Sequence, residues 1–201
     1  MKFSRRIAAL LFCFACAHFA GAAPSASCQT PEAKTQPTLA SSVSDIWSDL
    51  EVSIVDAADA MPKEKYSFAP KNGAFQGVRT FAQQVGHVAC ANFAFFNEFE
   101  GKTPPPDCEK GAPASARTKA ELMKYLRDSF AYADRVMATL NAKNALDPVG
   151  GPYATPSTKL GISVTAVRHA SNHYGQMVEY LRMNGIIPPA SRPASPPSGS
   201  P

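Results

Sequence analysis

The sequence predicts an all-α protein, a four-helix bundle, and three observations lead there. Four stretches of roughly 20 to 27 residues carry apolar side chains at spacings of three and four. The prolines all lie outside these stretches, and so do most of the glycines. Alternating apolar and polar runs, the mark of half-buried strands, are nearly absent. Helices of that length, rising about 1.5 Å per residue, can lie side by side around one core.

The first 23 residues, "MKFSRRIAALLFCFACAHFAGAA", stand outside this pattern. Lys2, Arg5 and Arg6 form a positive start, Ile7 to Phe19 an apolar run, and Ala20-Gly21-Ala22 a small-residue stretch suited to a signal peptidase. The apolar run is short for a membrane span. We expect residues 1–23 to be a secretory signal, with no stable membrane anchor after cleavage and an exported product, periplasmic or secreted. Cys13 and Cys16 fall within the apolar run, and Cys28 follows polar Ser25 and Ser27, so no lipoprotein box is evident. Residues 24–38 are rich in Pro, Ser and Thr and read as a disordered lead-in, and the Pro/Ser-rich tail 188–201 reads the same way.

Between these tails, residues 39–187 form the expected bundle domain. The first helix is expected over Leu39 to Ala60, with Val43, Ile46, Trp47, Leu50, Ile54 and Val55 facing the core and Pro62 closing it. After the breaker loop "SFAPKNGAFQG", the second is expected over Val78 to Phe99, with a stripe of Val78, Phe81, Val85, Val88, Phe95, Phe96 and Phe99. The third is expected over Thr118 to Ala142, entered through Ser115, Thr118 and Glu121 as capping residues. The loop "NALDPVGGPYATPSTK" leads to the fourth, Thr158 to Asn184, with Gly185 as its C-terminal stop and Pro188-Pro189 beyond.

Charge says little about partners. The signal carries three basic residues and no acidic one, so its removal takes the formal net charge from +4 to +1. No Lys/Arg stripe remains in the rest, which argues against nucleic acid as a partner. A small molecule is the expected partner, and the apolar helix faces leave room for a homodimer. No Gly-rich phosphate loop and no recognisable serine–histidine–acid spacing is present.

Cys28, Cys90 and Cys108 remain after the signal, an odd number. Cys90 and Cys108 bracket the turn-rich "EGKTPPPDCEKG", and a disulfide between them suits an oxidising compartment. In the loop-entropy picture it would contribute on the order of 3 kcal/mol. The alternative is a buried Cys90 thiol on its helix, three residues after His87, available as a ligand or nucleophile.

The histidines carry the chemistry. Only His87, His169 and His173 lie outside the signal. His169 and His173, in "RHASNHYGQMVEYLRMNG", fall about 40° apart on the fourth helix at 100° per residue. Ile162, Ala166, Gln176 and Tyr180 share their sector, and Val164, Val167, Tyr174, Val178 and Leu181 lie to one side of it. On the second helix His87 shares a sector with Thr80, Gln84, Ala91 and Ala94, beside the phenylalanine stripe. Both sets sit at the shoulder of a core face, where facing helices of a bundle bring partly polar side chains together. Neutral imidazole is a good ligand for zinc, nickel and iron, and a pair at i, i+4 aims two nitrogens at one centre. By itself the HxxxH pattern also describes an exposed helix with two unremarkable histidines.

Three segments resemble the DinB/YfiT-like family. "MPKEKYSFAPKNGAFQGVRTFAQQVGHVACANFAFF" is similar to its first loop and second helix, "TKAELMKYLRDSFAYADRVMATL" to its third helix, and "RHASNHYGQMVEYLRMNGIIPPAS" to its fourth helix and ending. The resemblance covers about residues 40 to 190. It implies a four-helix bundle that binds one divalent metal, zinc or nickel, through His87, His169 and His173, with a coordination position open to water or a substrate thiolate. Asn172, Tyr174 and Gln176 are then expected around the pocket. Some members of the family are thiol-cofactor-dependent transferases or isomerases, so a metal-dependent hydrolase or transferase is the implied activity. A non-catalytic helical binding module, with a structural metal or none, is the other reading.

Overall fold

The computed structural model describes residues 36–105, 113, 116–155 and 157–193. The expected signal, nearly all of the lead-in, Cys28, Cys108 and the end of the tail lie outside these residues. The order of elements is α1 (Leu39–Ala60), a 3-10 turn (Lys63–Lys65), α2 (Phe81–Phe99), α3 (Lys119–Met137), β1 (Pro148–Val149), β2 (Ser157–Thr158), α4 (Lys159–Met183) and a 3-10 turn (Pro189–Ser191). It is an all-α bundle of four helices. α2 packs between α3 and α4, and α1 closes the ring against the same two neighbours, diagonally opposite α2. No helix among the described residues is long and apolar enough to cross a membrane.

Each helix starts on a threonine. Thr38, Thr80, Thr118 and Thr158 are extended residues whose hydroxyls accept a backbone N–H in the first turn of the helix that follows. In the first three the residue at the third helical position reciprocates: Ser41, Gln83 and Glu121 each accept the cap residue's own N–H. These reciprocal caps satisfy donors that a helix otherwise leaves open. They also account for α2 starting three residues later than the apolar stripe suggests. Thr80 caps the helix, and Val78 is left in the loop, 37% exposed.

α3 likewise ends at Met137, earlier than expected. Beyond it Asn141 and Asn144 direct their amides to the Thr139 carbonyl, and Asn144 Oδ1 accepts the Asn141 N–H. Such side-chain bonds compete with helix continuation. Leu140 is nevertheless buried, in the turn. α4 ends at Met183, capped by Asn184, and Gly185 follows with a φ of +73°, the left-handed conformation of a glycine stop.

Two elements were not expected. β1 and β2 pair antiparallel, Pro148 opposite Thr158 and Val149 opposite Ser157. A two-residue ladder offers no alternation to detect. The start of the tail also holds structure: Pro189–Ser191 form a 3-10 turn packed on α1, with Pro189 at the first position, where a missing N–H costs nothing.

The centre of the bundle is aromatic. Trp47 of α1 packs edge-on to Phe96 of α2 at 5.5 Å between centroids and tilted on Phe130 of α3 at 5.1 Å. Ile54, Phe81, Leu126, Met177 and Leu181 are fully buried around them. Besides Val78, two further residues expected on apolar helix faces meet water instead: Ile46 is 55% exposed and Val164 52%. Ile46 lies about 100° off the line of Trp47, Ile54 and Ala58 that points inward.

Candidate metal centre

The seam between α2 and α4 is built differently from the rest of the core. α2 brings Gln84 and His87 to it, one turn apart, and α4 brings His169, His173 and Gln176. One ligand-capable nitrogen from each of His87, His169 and His173 lies within 4.8 Å of the other two. His87 Nε2 and His169 Nε2 are 3.1 Å apart. Two ligands each about 2.05 Å from one tetrahedral ion stand about 3.3 Å apart, so this spacing fits two nitrogens aimed at one centre. The His173 ring lies 4.7 Å from His87 and 4.5 Å from His169, centroid to centroid.

The orientation of His173 is fixed by its neighbours. Its Nδ1 is 2.6 Å from Gln84 Oε1, an atom that only accepts, so Nδ1 donates and Nε2 keeps its lone pair. The Gln84 amide is oriented in turn by donating from Nε2 to Gln176 Oε1 at 2.7 Å, and Gln176 donates to Asn172 Oδ1 at 2.7 Å. Metal-binding histidines are commonly held this way, by a partner on the nitrogen away from the ion. His169 lacks such a partner: its Nδ1 is buried and makes no hydrogen bond to the described residues. That ring packs against Phe95 in a T-shaped pair, 5.3 Å between centroids.

Burial keeps all three rings neutral. It lowers the pKa of His87 and His173 to about 4 and that of His169 to about 3, helped at His169 and His173 by the neighbouring imidazoles and at all three by the positive charge of Arg79. Neutral imidazoles with converging lone pairs are the ligand form that zinc, nickel or iron requires. The donor set thus fits a divalent ion.

A wall of the site reaches into the loop after α3. Phe95 stacks edge-on to Tyr153 at 6.5 Å, and the buried Glu98 accepts the Tyr153 N–H at 3.0 Å. Gly151 packs directly on that carboxylate, with no room for a Cβ.

The structure therefore brings together all three histidines singled out in the sequence. Asn172 and Gln176 join through the hydrogen-bond chain. Tyr174 does not join that chain, and its ring packs against the apolar core. Cys90 is disulfide-bonded, which rules it out as a fourth ligand or nucleophile. Gln84 was not singled out, although it shares the His87 sector. Its only signal was a polar side chain one turn from a histidine on a mostly apolar helix.

The sequence matches the DinB superfamily model over residues 51–177. The chain belongs to the DinB superfamily. The match runs from α1 to α4 and takes in all three histidines of this DinB protein. A similar fold is seen in the crystal structure of a DinB-like protein from Bacillus cereus ATCC 10987, with 15% sequence identity and a TM-score of 0.57 over 76% of this chain and 96% of that one. Among curated proteins none matches the sequence. Three histidines close enough to hold a metal ion agree with a family whose members are metal-associated.

Proposed function

We propose that this DinB protein is an exported metalloprotein that binds one divalent ion, zinc or nickel, through His87, His169 and His173 and acts as a metal-dependent hydrolase or thiol transferase on a small molecule. The observation that carries the reading is the convergence of three neutral imidazoles from two helices within 4.8 Å. A divalent ion held there supplies Lewis acidity and an open coordination position. Gln84 orients His173, Phe95 excludes water from one side of His169, and the half-buried His87 and His169 leave the centre reachable from solvent. The test is a screen of metal-loaded and metal-free protein against hydrolytic and thiol-transfer substrates. Turnover should appear only with metal and vanish in His87→Ala, His169→Ala and His173→Ala. Turnover that persists without metal contradicts the proposal.

The second reading, a non-catalytic helical binding module, has its own support. Among the described residues no Asp or Glu joins the three-histidine group, which leaves the group itself without an acidic general base. On that reading metal raises the melting temperature and no substrate is turned over.

A further inference from the structure

A cavity of about 800 Å³ opens where the end of α1, the 3-10 turn after it and the starts of α2 and α3 meet, and none of the three histidines lines it. That volume is in the range of small-molecule sites. Its floor is apolar: the Tyr66 ring and Met123 are buried there, with partly buried Ala82 beside them. The frame is fixed by bonds within the chain. The Tyr66 hydroxyl donates to the Ala58 carbonyl at 2.7 Å, and the ring packs edge-on to Phe81 at 5.3 Å. Lys119 Nζ lies 5.7 Å from the centre of the Tyr66 ring and donates to the carbonyls of Asp59 at 2.6 Å and Met61 at 3.1 Å. These bonds tie the start of α3 to the end of α1, so the cavity is formed before any ligand arrives.

Its charged lining is unbalanced. Four cations, Lys63, Arg117, Lys119 and Arg127, stand against two acids, Asp59 and Glu64. Asp59 is held by Lys119 at 3.3 Å. Lys63 and Arg127 are exposed and form no ion pair with any described carboxylate. Glu121, close by on α3, is occupied by its own helix cap, accepting from the Arg117 and Thr118 N–H groups and the Thr118 hydroxyl. A positive rim therefore surrounds an apolar floor. Clefts of one sign concentrate ligands of the other, and a guanidinium matches a carboxylate through paired hydrogen bonds. Tyrosine and methionine side chains suit a flat ring lying between them.

We propose that this cavity is a second ligand site, separate from the histidine centre, which takes a small aromatic carboxylate with its ring on Tyr66 and Met123 and its charge at Arg127. The test is calorimetric binding of naphthoate and of its neutral isostere naphthamide to the purified protein, with thermal unfolding of each variant as the check on folding. Wild type should bind naphthoate more tightly than naphthamide. Arg127→Gln, at an exposed position, should weaken naphthoate by about tenfold, the scale of one charged hydrogen bond, with naphthamide changed less than about twofold. Ala120→Trp places a large ring in the cavity from an exposed lining position and should abolish binding of both. His87→Ala should leave naphthoate affinity within about twofold, because the histidine lines no part of this cavity. A wild type that binds no naphthoate, or binds it no better than naphthamide, overturns the proposal. So does naphthoate affinity that is unchanged in Arg127→Gln and Ala120→Trp, or that is lost in His87→Ala.

Discussion

The two faces of α2 solve the packing problem in opposite ways. Toward α1 and α3 it presents Phe96 to Trp47, which also packs on Phe130, and a buried polar contact there, from Asn92 to Ser129 at 3.2 Å, is relayed onward to the Leu126 carbonyl at 2.7 Å. Toward α4 it presents His87 and Gln84, and three ring systems point nitrogens at one another. The first seam is mostly apolar with a local hydrogen bond, and its unpartnered atoms, Asn92 Oδ1 among them, are isolated rather than converging. The second keeps polar atoms inward that better-paired or apolar residues would replace at no loss of stability. Natural cores keep such groups where function requires them, and the contrast is the physical case for a ligand site.

Substitutions in the apolar seam should damage folding most. Phe96→Ala removes a ring with no solvent exposure, and a loss of about 3–5 kcal/mol in denaturant unfolding is expected. A loss under about 1 kcal/mol would mean that the aromatic centre is not what holds the helices. In the other seam, Gln84→Ala should reverse the emphasis. It frees His173 to rotate, so metal affinity should fall about 10- to 100-fold, measured by competition with a chelator, while folding changes far less than in Phe96→Ala.

Gly151→Ala tests the wall of the site. The new methyl collides with the buried Glu98 carboxylate, and overpacking of this kind costs about 1–3 kcal/mol in thermal or denaturant unfolding.

The histidine seam should also respond to acid in the metal-free protein. Its rings take up protons only near pH 4 or, for His169, 3, against an ordinary value of 6.5. Between these values the unfolded chain binds more protons than the folded one. The contribution is therefore complete above pH 6.5 and is lost progressively as the pH falls toward about 4 and below. Denaturant midpoints measured across this range should fall more steeply for wild type than for a variant with all three histidines replaced. Parallel curves would show that the rings are not held neutral by the fold. The smallest effect should be at the surface: Thr118→Ala removes an N-cap and should cost about 1 kcal/mol.

The histidine seam was more legible in the sequence than the details around it. Helical period placed His87, His169 and His173 at matching shoulders, because a 100° step is nearly rigid over the turns involved. The same period put α1 over Leu39 to Ala60, as found. It failed where short-range chemistry overrides it. Thr80 and Gln83 cap α2 behind Val78, and Asn141 and Asn144 end the region after α3 before the apolar pattern does. The β1–β2 ladder is too short to carry a period. Gln84 was hidden for another reason: its role depends on which residue of α4 faces it, and no pattern within α2 encodes that. The disulfide of Cys90 removed a ligand candidate that spacing alone had left open.

The comparison between the two seams rests most directly on metal stoichiometry. Elemental analysis should find one divalent ion per chain in the wild type and in Ser129→Ala, which alters the apolar seam's polar contact. It should find almost none in His87→Ala, His169→Ala or His173→Ala. Retention of metal by all three histidine variants would contradict the account, as would an equal loss in Ser129→Ala.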